Sequence, residues 1–121
     1  MPNTSFDIVE HEEFLEFIVH GEPSESDWVK LLHTVVEKIG QTTKPRIFID
    51  GSKLTTATDP MTRYRMGVRT GATFGIDARI AVLQPSWMDD NFWETVATNR
   101  GAMARSSTDR EKLMEWLLET D

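Results

Sequence analysis

The chain has 121 residues, no cysteine and a formal charge of −7. That length predicts one domain able to bury a continuous core, and the missing cysteines exclude disulfides, thiol catalysis and cysteine metal sites. The negative charge argues against non-specific nucleic-acid binding, which needs a basic surface, and no apolar run reaches the roughly 18–20 residues of a spanning helix.

The N-terminal MPNTSFDIVEHEEF has neither a basic n-region nor an apolar h-region, which predicts a soluble, cytoplasmic chain without a secretory signal. SFDIVE and FLEFIVHG, rich in Phe, Ile and Val and separated by HEE, predict an antiparallel pair of strands. GEPSESDW then starts a helix. Ser24 and Asp27 have capping-box spacing, and the acids Glu25 and Asp27 suit the positive end of the helix dipole. Trp28, Leu31, Leu32, Val35 and Ile39 recur on one helical face, and Gly40 is the expected C-terminal cap.

PRIFID predicts a short strand opened by Pro45. Strand, helix, strand in this order implies a parallel, right-handed crossover. Asp59-Pro60 reads as an N-cap followed by proline at the first helical position, and Met61, Tyr64, Val68 and Ala72 form the expected apolar stripe of a helix ending near Gly75. ARIAVLQP is a buried central strand. DDNFWETVATNRGA is a helix begun by Asp89 or Asp90 and stopped near Gly101. MARSS is a short last strand. STDREKLMEWLLE closes the chain as a helix, with Thr108 and Glu111 as a second capping box and Leu113, Trp116 and Leu117 on its buried face. The order ββαβαβα(β)α predicts an α/β domain built on a mixed, mostly parallel sheet of four or five strands with about four helices.

FIVHGEPSESDW, RIFIDGSKL, RIAVLQP with its following helix, and DREKLMEWL together resemble the SpoIIAA-like branch of the STAS group over about residues 5–118. The resemblance implies a non-enzymatic regulatory role through protein contacts made by loops and helix ends. Kinship of such domains with lipid-carrying CRAL-TRIO folds implies an apolar ligand as the alternative. In the best-known members, a Ser in a DSSG-like motif is phosphorylated where a helix follows the IFID-type strand. Here TDPM, residues 58–61, stands at that place, so the switch does not carry over. A carboxylate already occupies the positive helix end; Thr56 and Thr58 are the nearby hydroxyls a kinase could reach.

Charge is segregated along the chain. Residues 1–27 contain eight acids and no Lys or Arg, whereas residues 60–79 contain Arg63, Arg65, Arg69 and Arg79 against Asp77 alone. Such separation suits oriented self-association or a charged partner, and equally salt bridges within one molecule. Arg65 and Arg69 are an i, i+4 pair of like charges, unfavourable unless an anion answers them, and Arg63 is expected to be solvated. Gly67 and Gly71 weaken their helix, which close approach of another backbone explains, either within the chain or from a second subunit. Trp87, Met88, Phe92 and Trp93 cluster at a strand-to-helix junction, as core cover, pocket mouth or interface.

Asp50 and Ser52 at the end of a strand read as turn-fixing groups or ligand contacts. No Gly-x-Ser-x-Gly elbow surrounds Ser52, so a hydrolase lacks its strained nucleophile. His11, His20 and His33 have no helical metal-site spacing, and nothing calls for a metal or a cofactor. The leading expectation is a non-enzymatic STAS-like interaction module. It would act as a homodimer, or on another protein, through the Gly67/Gly71 helix or the Trp87–Trp93 junction. The alternative is a small-molecule binder. In it Arg65, Arg69 and the loop after Asp50 hold an anionic head group, and Trp87, Phe92 and Trp93 surround an apolar part.

Overall fold

The computed structural model describes residues 4–41, 45–88 and 90–119. Among these, the strands are β1 (Thr4–Glu10), β2 (Leu15–Gly21), β3 (Arg46–Leu54), β4 (Arg79–Leu83) and β5 (Met103–Ser107). The helices are α1 (Glu25–Gly40), α2 (Pro60–Phe74), α3 (Phe92–Asn99) and α4 (Arg110–Leu117). The strands form one sheet in the order β1-β2-β3-β4-β5, antiparallel between β1 and β2 and parallel elsewhere. This is the mixed α/β architecture expected from the alternation of strand and helix signals.

Side chains alternate across a strand, so each strand feeds both faces of the sheet. On one face Leu15, Phe17, Ile47 and Ile80 pack with Leu31 and Val35 of α1 and Phe74 of α2. On the other face Phe48, Ala81 and Leu83 pack with Leu113 and Leu117 of α4. Arg79 and Arg46 donate to the carbonyls of Trp116 and Glu119 at the end of α4. These bonds satisfy acceptors that a helix terminus leaves open.

Several boundaries differ from expectation for local reasons. The Ser24–Asp27 capping box forms, but Gly40 stays inside α1 and Gln41 caps it. At α4, Asp109 replaces Thr108 as N-cap and accepts from the Lys112 amide; a carboxylate suits the helix dipole better than a hydroxyl. Asp89 lies outside the described residues; α3 begins after Asn91, and Asp90 accepts instead from the Phe92 amide at 2.7 Å.

Strand β3 runs four residues past Asp50 because its pairing with β2 continues through a bulge. Ile18 pairs with Asp50 and His20 with Lys53, so Val19 alone opposes Gly51 and Ser52. Gly51 is needed there, since a Cβ would lie 2.8 Å from the Leu83 carbonyl oxygen. Helix α2 buries Thr62, Met66, Gly67, Thr70, Gly71 and Phe74, while Met61 and Tyr64 of the expected stripe are exposed. The Thr70 hydroxyl donates to the Met66 carbonyl at 2.7 Å, which lets a polar residue sit in the core.

Candidate functional site

Between α1, α2 and the sheet lies a cavity of about 100 Å³. Leu31, Leu32 and Val35 of α1, Met66 and Phe74 of α2, and Ile49 and Val82 of the sheet form its apolar walls. Gln84, Pro85, Met88 and Trp93, from the loop and helix that follow β4, also line it. Ile49 and Val82 belong to inner strands and face covering helices, yet both are only partly buried. Their exposed area faces the cavity.

The loop end is tied by a polar hub at Asp90. Arg63 Nη1 lies 2.7 Å from Asp90 Oδ2. The buried Gln84 amide donates to the Asp90 carbonyl and accepts from the Asp90 amide. Arg63 is therefore not solvated as expected; its side chain is only 15% exposed and lines the cavity. The Phe92 amide and then the Arg63 guanidinium hold the Asp90 carboxyl below its ordinary value. A depressed carboxylate stabilises the fold above its unfolded pKa of about 3.9 and loses that contribution as pH falls through the folded value. Acidification below about pH 4 is accordingly expected to free the segment that follows β4 before the core melts. Amide hydrogen exchange at Phe92, corrected for its intrinsic rate, checks this; protection unchanged from pH 7 down to pH 3 would refute it.

The residues singled out in the sequence fall into separate places. Arg65 is engaged within the chain: Nε donates to Glu25 Oε2 at 2.8 Å and Nη2 to Oε1 at 2.6 Å. This fork joins α2 to the first turn of α1 and is the anion that the Arg65–Arg69 pair requires. The Arg65 hydrogen bonds hold the Glu25 carboxyl below its usual range, and the charge of Arg69 adds to this. Arg69 is exposed. Neither Arg65 nor Arg69 lines the cavity.

Gly67 and Gly71 face α3, where added Cβ atoms would meet Val96 at 2.7 Å and Arg100 at 2.4 Å. Close approach is their reason, but the neighbour is a helix of the same chain, which leaves no room there for a second subunit. Met88 and Trp93 line the cavity, whereas Trp87 and Phe92 are exposed at 55% and 40%.

Asp50 and Ser52 are placed apart from all of these. Asp50 is buried on the α4 side of the sheet and accepts from the Ser52 amide at 2.9 Å and the Ser52 hydroxyl at 2.6 Å. Its other oxygen accepts from Arg110 Nη1, and Arg110 Nη2 donates to the buried Glu16 at 3.1 Å. His11 Nε2 lies 2.7 Å from Glu16 Oε1 and its ring stacks on Phe14. The result is an internally satisfied ionic cluster; the turn-fixing reading of Asp50 and Ser52 holds in the form of a bulge. Sequence spacing held no signal for Glu16 with Arg110, or for Arg63 with Asp90. His33 is exposed, and among the described residues no group of three or more His, Cys, Asp or Glu side chains could hold a metal. No helix among them is long and apolar enough to cross a membrane.

A mixed sheet in sequential strand order, with α1, α2 and α3 on one face and α4 on the other, defines a SpoIIAA-like α/β domain. The chain is similar to a solved structure of an uncharacterized protein from the DUF3478 family, with a SpoIIAA-like fold, from Shewanella loihica PV-4. The TM-score is 0.56 at 15% identity, covering 95% of this chain and 94% of that one. No family model matches the sequence, and neither does any curated protein.

Proposed function

We propose that the domain is a non-enzymatic binding module that holds a small, mostly apolar ligand between α1, α2 and the sheet. The observation that carries this reading is the partial exposure of Ile49 and Val82 beneath two helices, onto the cavity they line. A well-packed domain of this size fills such a space. The volume is somewhat smaller than an engineered apolar cavity of about 150 Å³ that takes up benzene. A short chain therefore fits without rearrangement, and a ring or a longer molecule extends past Met88 and Trp93. The anionic head group expected on Arg65 and Arg69 has no place in this reading, since Glu25 holds Arg65 and the cavity lies elsewhere.

Native mass spectrometry of the purified protein tests the reading, with Val82→Phe as the companion variant. The expected result is an added mass that disappears on denaturation and is absent from Val82→Phe, whose ring fills the cavity. An apo mass, together with no uptake of apolar probes by the wild-type protein, would overturn it. The same spectrum reads the second proposal, contact with another protein or a second copy. The exposure of Trp87 and Phe92 beside the cavity end favours it, because aromatic side chains are enriched at interfaces. A dimer that persists in Trp87→Ser/Phe92→Ser would remove that junction as the interface.

A further inference from the structure

Strand β1 is an edge of the sheet and pairs with β2 alone. Which of its backbone groups face outward follows from the hairpin. The His11 amide donates to the Phe14 carbonyl at 2.9 Å, and the register then runs without a bulge from Glu10–Leu15 to Thr4–Gly21. Hydrogen-bonded and open pairs alternate along an antiparallel ladder. Ser5, Asp7 and Val9 therefore bond to β2, and the N–H and C=O groups of Phe6 and Ile8 point away from the sheet. Among the described residues nothing meets those groups, and Asp7, Ile8 and Val9 are exposed. The opposite edge is covered. Ala97 of α3 packs with Ala104 of β5, and Glu94 of α3 accepts from the Ser106 amide at 2.6 Å. An uncovered strand edge is a template for a further strand.

Independently of the cavity, we infer that β1 is a docking edge for an extended, basic segment of another protein, which adds to the sheet as a further strand. Backbone bonds to Phe6 and Ile8 supply the affinity, and the side chains on the two faces of β1 supply the selection. Phe6 packs against the core under α1, so Phe6 and Ile8 share that face and Asp7 lies on the other. The incoming strand therefore alternates, with apolar side chains beside Phe6 and Ile8 and Lys or Arg beside Asp7. Charge decides the occupant. Residues 1–27 hold eight acids and no Lys or Arg, and Glu10, Glu12 and Glu13 are exposed at the hairpin end of β1. A second copy's β1 would bring the same acids against these, and like charges across a strand pair are unfavourable. Acids that turn away a second copy attract a basic strand. His20 lies 3.0 Å from Asp7, whose side chain is still 70% exposed.

Capped peptides of repeating Lys-Val, Lys-Gly and Glu-Val, titrated into ¹⁵N-labelled protein, test this. The Lys-Val peptide is expected to bind, to shift the Phe6 and Ile8 amide resonances and to slow their hydrogen exchange. The Lys-Gly peptide has the same charge with little strand propensity and should bind at least about tenfold more weakly. The Glu-Val peptide should not bind. Asp7→Lys turns an opposite cross-strand charge into a like one and should weaken Lys-Val binding about tenfold. Ile8→Pro deletes one outward N–H without removing a bond to β2, and proline is tolerated on edge strands; binding should be lost. Retained protection of the Glu16 and Ile18 amides, which bond to β1, shows that the hairpin is intact in both variants.

Failure of the Lys-Val peptide to bind would overturn the inference, as would equal binding of Lys-Gly, which needs charge alone. Equal binding of Glu-Val, or full affinity in Asp7→Lys, would overturn the basic character of the partner. Lys-Val binding that leaves Phe6 and Ile8 unchanged, or that survives Ile8→Pro with the hairpin intact, would overturn the assignment to this edge. Protection of Phe6 and Ile8 in the free protein would overturn it as well. Constant with concentration, it would show the edge covered within the molecule; rising with concentration, it would place a second copy there. The cavity reading stands apart from all of these outcomes.

Discussion

Gly71→Ala will destabilise the protein by about 2 kcal/mol, although the same change on a free helix surface stabilises by roughly 1 kcal/mol. The sign is decided by what the new methyl meets. An added Cβ would stand 2.4 Å from Arg100 Cβ and 2.8 Å from the Arg100 carbonyl oxygen. A carbonyl at the end of α3 cannot rotate aside as a long side chain can, so the whole helix must retreat. Overpacking of this kind costs about 1–3 kcal/mol, and the upper part of that range applies when backbone is the obstacle. At Gly67 the neighbour is chiefly the Val96 side chain, at 2.7 Å, and a smaller loss is expected. The double variant should lose less than the sum, because a displaced α3 makes room for both methyl groups. Urea unfolding measures the change, and a thermal midpoint lowered by about 8 °C would accompany it. A Gly71→Ala protein as stable as the wild type would show that α3 does not approach α2 as described.

The second large effect is expected at Arg110. Arg110→Met should cost about 2 kcal/mol, below the roughly 3–5 kcal/mol of a fully buried broken pair. The discount has two causes. Arg110 is 47% exposed, and each carboxylate retains another partner, His11 for Glu16 and the Ser52 amide and hydroxyl for Asp50. Methionine preserves much of the packing over the Phe48 ring, where the guanidinium carbon lies 4.7 Å from the centroid. The loss therefore reports charge more than shape. Adding Glu16→Gln to Arg110→Met should restore part of the stability by removing one uncompensated buried charge. A double variant that loses the sum of the two single changes would mean that Glu16 and Arg110 do not act on each other.

What could be read from the sequence was whatever a short window contains. The Ser24–Asp27 box and Asp59-Pro60 mark helix starts in four residues or fewer, and RIAVL reads as a strand from its own composition. The buried face of α2 was misplaced because, beside Met66 and Phe74, it is made of Thr62, Gly67, Thr70 and Gly71, residues a hydrophobic pattern ignores. Met61 and Tyr64, which that pattern picks out, face outward. Charge pairs were hidden for a different reason: Glu25 lies 40 residues from Arg65, and Asp50 and Glu16 lie 60 and 94 residues from Arg110, and no local spacing encodes such pairs. The same holds for the cavity, which depends on how far α1 and α2 stand apart above Ile49 and Val82. The aromatic cluster was legible as a group but not in its division, with Met88 and Trp93 turned to the cavity and Trp87 and Phe92 to solvent.

The sequential strand order carries a consequence for how the chain reaches this state. Each strand pairs with the one made just before it, from β1 through β5, so no strand waits for a later one to be inserted between existing neighbours. A ribosome releasing the chain from its N-terminus presents the elements in the order in which the sheet is extended. The edge at β2 accepts β3, and the new edge at β3 then accepts β4. Every loop closed on the way spans at most one helix, which limits the entropic cost of each step. The intermediate exposed at each stage is a single growing edge, and the next segment to emerge covers it.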